Sequence, residues 1–220
     1  MTNILYVTAS ARKAGSLSRM LGDRFVTGWR TRDGQGDVTH RDVGTTPPPI
    51  ISEAWVAAAF TPRPDRTAAQ REMLALSDEL IEEIRQAEMI VIATPMYNYG
   101  MPAALKAWVD QVVRIGETFS FDLSRGDFPL EPILSGKTLV LLTSSGEFDF
   151  APGGMREGMG HLVPHLKTVS KYLGAARIHE VAIEYQEFKD ARHDRSIAAA
   201  QAQVDALLAE LAEGRATALA

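Results

Sequence analysis

The chain has 220 residues, of which 45% are hydrophobic and 23% charged, and its formal net charge is -5 at pH 7. This composition predicts a soluble globular protein of one domain covering 1–220, and a mild negative charge without a basic block argues against nucleic acid as the main partner. The complete lack of cysteine excludes disulfides, thiolate metal sites and a cysteine nucleophile, and it favours a cytoplasmic location. We expect no signal peptide and no membrane contact, because no apolar run reaches the roughly 18 residues of a membrane span.

Short apolar runs alternate with stretches of helical periodicity from the first residues onward. Residues 4–8, ILYVT, predict a buried strand. Residues 18–30 predict a helix, and the alternating pattern of residues 37–43 predicts a second strand.

The clearest helical pattern covers residues 67–87. Thr67 and Gln70 stand at the spacing of a capping box, which predicts the start of this helix. Its predicted buried face contains the apolar residues Met73, Leu76, Leu80, Ile84 and Ala87.

The second half of the chain continues the alternation. Residues 89–94, MIVIAT, predict a fully apolar strand, and a helix is predicted to open near Pro102, since proline is favoured at the first helical position. The apolar stripe of that helix is predicted to contain Leu105, Trp108, Val109 and Val112. The remaining predicted elements are a strand at 138–144, a helix at 161–173 ended by Gly174, a strand at 178–183 and a helix at 196–214.

Five strands alternating with five helices predict an α/β fold with a five-stranded parallel sheet and helices on both faces. Such sheets bind ligands at the carboxyl ends of their strands, near the point where the strand order reverses. A ligand site is therefore expected in the loops after the first, third and fourth predicted strands. Two long loops, 44–66 and 116–137, either cover a site, meet a partner subunit, or are surface insertions.

The first of these loops has a pattern typical of a phosphate site. Ser10, Ser16 and Ser18, with Gly15 between them, stand just before a predicted helix, and helix N-termini receive phosphate well. The loop matches neither the G-x-G-x-x-G fingerprint nor a Walker A motif. The alternative is that a serine simply caps the helix. Positive charge comes from Arg12, Lys13 and Arg19.

The other two loops combine aromatic rings with amides. The segment TPMYNYGMP, 94–102, offers two tyrosines and Asn98, and TSSGEFDF, 143–150, offers Gly146, which permits close backbone approach. A phosphate site beside such loops predicts a mononucleotide with a flat ring system, and FMN fits that description. The alternative is that the aromatic residues wall off the end of the sheet as core.

Three segments carry a family resemblance: TASARKAGSLS, PMYNYGMPAALKAWVDQVVRIGETFSF and GKTLVLLTSSGE. They resemble the FMN-dependent NADH:azoreductase / NAD(P)H:quinone reductase family, which has a flavodoxin-like fold, and the resemblance spans nearly the whole chain. It implies an FMN phosphate site formed by Ser10, Ser16, Leu17 and Ser18. It implies an isoalloxazine site lined by Met96, Tyr97, Asn98 and Tyr99 and completed by Ser144, Ser145, Gly146 and Glu147.

The resemblance also implies a reaction and an assembly. NADH or NADPH reduces the bound FMN, the oxidised nicotinamide leaves, and a quinone or aromatic azo compound then takes the hydride in a ping-pong scheme. The family forms homodimers with the active site at the interface. The family often has an Arg-Gly-Gly run after the serine that ends this strand, whereas this chain has Ser145-Gly146-Glu147. Glu147 thereby adds a negative side chain near the flavin edge. The expected substrate pocket contains Tyr99, Phe119, Phe121 and Phe148, with plain packing as the alternative for Phe119 and Phe121.

Several alternatives stay open at this point. A flavodoxin-like one-electron carrier, or a binding module without turnover, would have the same fold. The sequence does not decide between NADH and NADPH, assigns no catalytic residue, and leaves the proton source open between water, Tyr97 and Tyr99. His161 and His165 have metal-ligand spacing on one helix, but without a third ligand we expect no metal site.

Overall fold

A computed structural model describes residues 2–33 and 36–218. In chain order its strands and helices are β1 (Ile4–Thr8), α1 (Leu17–Asp33), β2 (Val38–Asp42), α2 (Glu53–Phe60), α3 (Ala68–Gln86), β3 (Met89–Pro95), α4 (Ala103–Val112), β4 (Phe119–Phe121), β5 (Leu130–Pro132), β6 (Lys137–Ser144), α5 (Leu162–Ser170), β7 (Ala175–Ile183) and α6 (Ala191–Ala218). Short 3₁₀ turns lie at Arg63–Asp65, Leu123–Arg125 and Lys171–Leu173.

Five strands form one parallel sheet in the spatial order β2-β1-β3-β6-β7, which confirms the predicted fold class. The chain passes from β1 to β2 on one side and then to β3 on the other side of β1. The strand order therefore reverses between β1 and β3, where ligands of such sheets bind. Strands β1, β3 and β6 are buried along their whole length, because helices cover both faces.

Each face of the sheet carries its own core. On one face, Trp108 of α4 and Leu80 of α3 pack on β1, β3 and β6, and the predicted stripe of α4 is buried here. On the other face, α1 and α6 pack together through residues such as Phe25 and Leu208. The two cores fix the sheet between layers of helices and hold the carboxyl ends of its strands in place.

The two long loops differ from the prediction because each contains regular structure. Segment 44–66 carries α2, which begins at the N-cap Ser52 and packs Trp55 and Ala58 near Leu74 of α3. Segment 116–137 carries the antiparallel β4–β5 hairpin. The described residues thus contain six α-helices rather than five. Helix α2 was missed because its eight residues, EAWVAAAF, are apolar almost all round.

Helix α3 confirms its predicted start and corrects its predicted face. The N–H of Gln70 donates to Thr67 Oγ1 over 3.2 Å, and the N–H of Thr67 donates to Gln70 Oε1 over 2.9 Å. The prediction for Met73 was wrong, since its side chain is 42% exposed, and Leu76 is only half-buried. The buried stripe is shifted by one position and contains Leu74, Ser77, Leu80, Ile81 and Ile84.

Two other helix boundaries bear on the predictions. Pro102 is the N-cap of α4 rather than its first helical residue. Gly174 ends the turn after α5 in the left-handed conformation, with φ 84°, as predicted.

Candidate active site

The three predicted loops meet at the carboxyl end of the sheet. The N–H of Ala11, after β1, donates to the hydroxyl of Tyr97, after β3, over 3.3 Å. The N–H of Met96 donates to the carbonyl of Ser144, at the end of β6, over 2.8 Å. These bonds join loops that lie far apart in the sequence, because β3 stands between β1 and β6 in the sheet.

The first loop, 9–16, ends in the N-terminus of α1. Ser16 Oγ accepts from the N–H of Arg19 over 3.4 Å, and its carbonyl accepts from the N–H of Met20 over 3.0 Å, so Ser16 caps the helix. Gly15 has a φ of 67°, which glycine adopts freely, and it turns the chain into the helix. The N–H groups of Leu17 and Ser18 have no carbonyl partner within a helix and remain for a ligand. Capping and phosphate binding are compatible here.

Arg19 donates hydrogen bonds to this loop, and its positive charge is neutralised by Asp42. Its guanidinium makes a bidentate pair with Asp42, at 2.7 and 2.9 Å, and donates to the carbonyl of Ser10 over 2.7 Å and to that of Arg12 over 3.0 Å. Burial acts to raise the pKa of the Asp42 carboxyl, but hydrogen bonds from Arg19 and Thr45 outweigh it and hold the pKa well below its ordinary range. Sequence reasoning missed Asp42, whose only signal is its place at the end of β2.

The second loop is a tight turn from Tyr97 to Gly100. Two backbone hydrogen bonds close it, at 3.1 and 2.9 Å, and Asn98 and Tyr99 have positive φ of 46° and 64°. Positive φ at both central positions is typical of a type I′ turn. The turn leaves the rings of Tyr97 and Tyr99 38% and 42% exposed beside the first loop, while Met96 is half-buried against the core.

The third loop, 145–150, is fixed to the loop that follows β7. The N–H of Gln186 donates to the carbonyl of Ser145 over 3.2 Å, and the N–H of Glu187 donates to that of Gly146 over 3.1 Å. A Cβ added at Gly146 would stand 2.6 Å from Cγ of Glu187. The close approach that this glycine permits is thus made by Glu187 of the same chain. Ser144 and Ser145 are buried beneath it.

Glu147 connects the second and third loops. The Tyr99 hydroxyl donates to its carboxylate, and this bond together with the negative charge raises the pKa of Tyr99. Arg156 donates to the same carboxylate over 3.1 Å. The bonds from Tyr99 and then Arg156 lower the pKa of Glu147. The negative side chain that departs from the family pattern is therefore balanced by an arginine.

Phe148 belongs to an aromatic cluster that the sequence analysis did not predict. Its ring stacks on Tyr185 at 4.2 Å between centroids and meets the edge of Phe188 at 5.5 Å. Arg156 lies 4.3 Å above Phe148, and Arg192 lies 4.6 Å from the centre of Phe188. The available signal was the pair of aromatic residues in EYQEF, directly after the fifth strand of the sheet.

Phe119 and Phe121 lie away from this cluster of loops. Phe119 packs 5.4 Å from Tyr172, just before β7 begins, so β4 stands at the amino end of the sheet. The Phe121 side chain is half exposed. Within one chain these residues do not join the other predicted site residues, and a role in the pocket requires a second subunit.

The first loop fits the phosphate of FMN by the chemistry of its donors. Residues 9–18 contain hydroxyls, backbone N–H groups and basic side chains but no carboxylate. The carboxylate of Asp42, at the end of β2, is paired with Arg19. The exposed tyrosine rings of the adjacent turn provide flat apolar surface beside it, as a mononucleotide with a ring system needs.

His161 directly precedes α5, and His165 lies within it. His161 is the N-cap of α5, and its N–H donates to the carbonyl of Tyr99 over 2.7 Å. Within 2–33 and 36–218 no three His, Cys, Asp or Glu side chains group as metal ligands. Over the same residues, no helix is long and apolar enough to cross a membrane.

Comparisons with known proteins bear on the fold and the family of this chain. A family model of the flavodoxin-like fold matches residues 2–208. Relatives named FMN-dependent NADH:quinone oxidoreductase 2, from Idiomarina loihiensis and Colwellia psychrerythraea, are 53% and 50% identical over 218 residues, covering 96% of this chain and 91% and 100% of theirs. An FMN-dependent NADH-azoreductase from Bacillus anthracis, solved in complex with FMN, has a TM-score of 0.83 at 17% identity and covers 96% of this chain and 100% of its own. This chain therefore belongs to the flavodoxin-like family that includes the FMN-dependent NADH:quinone oxidoreductases.

Proposed function

We propose that this protein is an FMN-dependent oxidoreductase that transfers hydride from NADH or NADPH to quinones and aromatic azo compounds. The observation that carries the proposal is the contact between the loop that leads into α1 and the exposed tyrosine turn, at the switch point of the sheet. The names of relatives at 50–53% identity support it. Bound FMN would accept the hydride and pass it on, and the protein would hold and orient it.

The proposed FMN contacts follow from the site. The N–H groups that open α1 and the hydroxyls of Ser10, Ser16 and Ser18 would hold the phosphate. The turn 96–99 would lie against the ring, with Asn98 reading a polar edge, and 144–147 would complete the site. Donor and acceptor would bind in turn on the exposed ring face, which is the ping-pong scheme.

We also propose a homodimer whose partner subunit completes the substrate pocket. Large apolar side chains are exposed on the two segments that were predicted as long loops, among them Ile50, Phe60, Leu123 and Phe128. Leu123 is 74% exposed and Phe128 86%, which favours a covering partner. The hairpin of one subunit would then bring Phe119 and Phe121 to the site of the other. The cytoplasm remains the expected compartment.

The first experiment is an anaerobic absorption spectrum of the FMN-supplemented, desalted protein before and after NADH or NADPH. We expect a bound-flavin band that bleaches with the nicotinamide and returns when a quinone is added. A bound flavin that neither nicotinamide bleaches would favour the electron-carrier alternative, especially with a stabilised semiquinone. Absence of bound flavin would contradict the proposal.

The site assignment is tested by Ser16→Ala and Asn98→Ala, which we expect to weaken FMN binding while the fold is retained. Ser52→Ala is a matched control, because Ser52 caps α2 through Trp55 in the same way but lies outside the site. Asn98→Gly keeps the left-handed turn and isolates the loss of the amide. Unchanged flavin affinity in both Ser16→Ala and Asn98→Ala would overturn the assignment.

A further inference from the structure

A cavity of about 470 Å³ lies at the amino end of the sheet. Met89 and Lys137, the first residues of β3 and β6, line it together with Arg177 and His179 of β7 and Leu211 of α6. It is therefore at the opposite end of the strands from the candidate active site. Its volume falls within the roughly 300–1,000 Å³ of small-molecule sites.

The buried charge in its wall is positive. Lys137 is only 8% exposed, and its ammonium donates to the carbonyls of Arg85 and Ala87 at the end of α3. An ammonium has three donors, so one remains beyond this capping role. Next to it, Arg177 donates to Thr138 Oγ1 over 3.1 Å, which uses one of its five N–H groups.

His179 adds a polar atom that lacks a partner. Its Nε2 is buried and has no hydrogen bond to any residue that the structure describes. Leaving such an atom unpaired costs free energy, so buried polar atoms normally have a partner from protein, water or a ligand. In the tautomer with the proton on Nε2, it would donate to an anion.

The negative groups of the cavity are exposed, whereas its Lys137 ammonium is buried. Both carboxylates in the lining, Glu88 and Glu210, belong to exposed residues. Burial lowers the pKa of Lys137, and the negative charge of Glu88 partly opposes this effect. Arg85, also in the lining, is paired with Glu117 over 2.6 Å. Apolar surface comes from Ala87, Met89 and Leu211. The interior thus offers the Lys137 ammonium, hydrogen-bond donors and an apolar wall. The exposed Arg177 adds a second cation at the mouth.

We propose that this cavity is a second ligand site for a small molecule with an apolar body and one anionic group, a carboxylate or sulfonate. The anion lies against Lys137 and Arg177 and accepts from His179, and the apolar body lies against Met89 and Leu211. The site is independent of the proposed reductase function, because the candidate active site lies at the other end of the sheet.

The experiment is isothermal titration calorimetry of the FMN-loaded protein with 8-anilinonaphthalene-1-sulfonate, an aromatic molecule with one sulfonate. His179→Leu removes the ring nitrogens, and Arg177→Gln removes the charge at the mouth. Gly214→Phe adds a ring at a lining residue, where an added Cβ meets nothing within 4 Å and so displaces no neighbour. Ala206→Phe is the matched control, because it adds the same ring at an exposed α6 residue outside the lining.

We expect one-site binding that His179→Leu and Arg177→Gln each weaken about tenfold, as the loss of a charged hydrogen bond predicts. Gly214→Phe should weaken it by steric hindrance, and Ala206→Phe should leave it unchanged. Quinone reduction by the variants stays at the native rate. Absence of binding at millimolar probe, or binding that Gly214→Phe and Arg177→Gln leave unaltered, would overturn the proposal even if His179→Leu fails to fold. Absence of quinone reduction by the native protein, with probe binding retained, would count against the proposed function only.

Discussion

Asp42 illustrates how a single residue supports a loop to which it is not adjacent in sequence. Its carboxylate neutralises Arg19, whose guanidinium in turn donates to two carbonyls of the first loop, 9–16. Because the pKa of Asp42 is lowered in the folded protein, its stabilising effect is present above the ordinary carboxyl pKa and is lost as the pH falls.

We therefore predict that Asp42→Asn lowers the free energy of unfolding at pH 7 by about 2 kcal/mol and weakens FMN binding. In the native protein this contribution declines below about pH 4, the ordinary pKa of aspartate, whereas the variant lacks that part of the acid dependence. Urea unfolding at a series of pH values measures the loss in free energy of unfolding and its dependence on pH. Asp190→Asn, which breaks the exposed pair with Arg192, is the control and should change little. Equal pH profiles for native protein and Asp42→Asn would contradict the prediction.

Glu147 sets the protonation of a residue in the candidate site. Its hydrogen bond and charge raise the pKa of the Tyr99 phenol. We predict that Glu147→Gln lowers the Tyr99 pKa toward the ordinary tyrosine value of about 10, because the negative charge is removed. NMR titration of ring-labelled tyrosine measures this pKa, with Tyr99→Phe for assignment and Glu157→Gln as the matched control. A Tyr99 signal that titrates identically in Glu147→Gln and the native protein would show that the contact is absent in solution.

At the scale of elements, helix α3 has a start that its sequence specifies locally. Thr67→Ala removes the acceptor of the capping box, and we predict a loss of about 1 kcal/mol in the free energy of unfolding. Thr67→Ser keeps the hydroxyl and should restore most of it. Chemical denaturation gives the values, and equal stability of the alanine and serine variants would reject the capping contribution.

Elements also differ in how far the sequence predicts them. Strands β1, β3 and β6 were found because strands buried on both faces are continuous apolar runs, whereas β2 was found from its alternating pattern. Helix α2 was not found because its eight residues are few and apolar almost all round, so they show no helical period. The β4–β5 hairpin was not found because each of its strands has only three residues. The prediction for Met73 failed for a related reason, since adjacent apolar residues let the buried stripe of α3 shift by one position.

At the scale of the whole molecule, Glu117 connects segments that the sequence separates widely. Its nearly buried carboxylate pairs with Arg63 of the first long segment, Arg85 of α3 and Arg114 after α4. Burial acts to raise the Glu117 pKa, but the bonds from Arg85 and Arg63 outweigh it and lower the pKa. Arg114 is itself only 1% exposed, so it depends on this carboxylate and on Asp78.

We predict that Glu117→Gln lowers the free energy of unfolding by about 3 kcal/mol, because it removes the buried negative charge from three arginines and leaves Asp78 as the remaining carboxylate partner of Arg114. Asp110→Asn breaks a partly exposed ion pair with Lys106 and should cost less than about 1 kcal/mol. Thermal and urea denaturation compare the two. Similar losses in both variants would mean that burial does not strengthen the Glu117 cluster.

The proposed homodimer gives a prediction for the whole assembly. Phe128→Asp places a charge on an exposed apolar hairpin residue, and we expect it to shift the protein toward monomer and reduce quinone turnover while FMN remains bound. Sedimentation velocity and flavin content distinguish these effects. Asp127→Asn, at the neighbouring position, is the control. A Phe128→Asp protein that sediments as the native one would contradict this interface.

Periodicity and capping are local properties of a sequence. The sequence alone therefore predicted the alternation of strands and helices, the parallel sheet and the loops that carry the candidate site. Only the tertiary structure decided what those loops touch. Arg19 pairs with Asp42, Gly146 makes room for Glu187, and Phe119 lies at the far end of the sheet. Each of these depends on contacts between distant segments, and such contacts leave no period in the sequence.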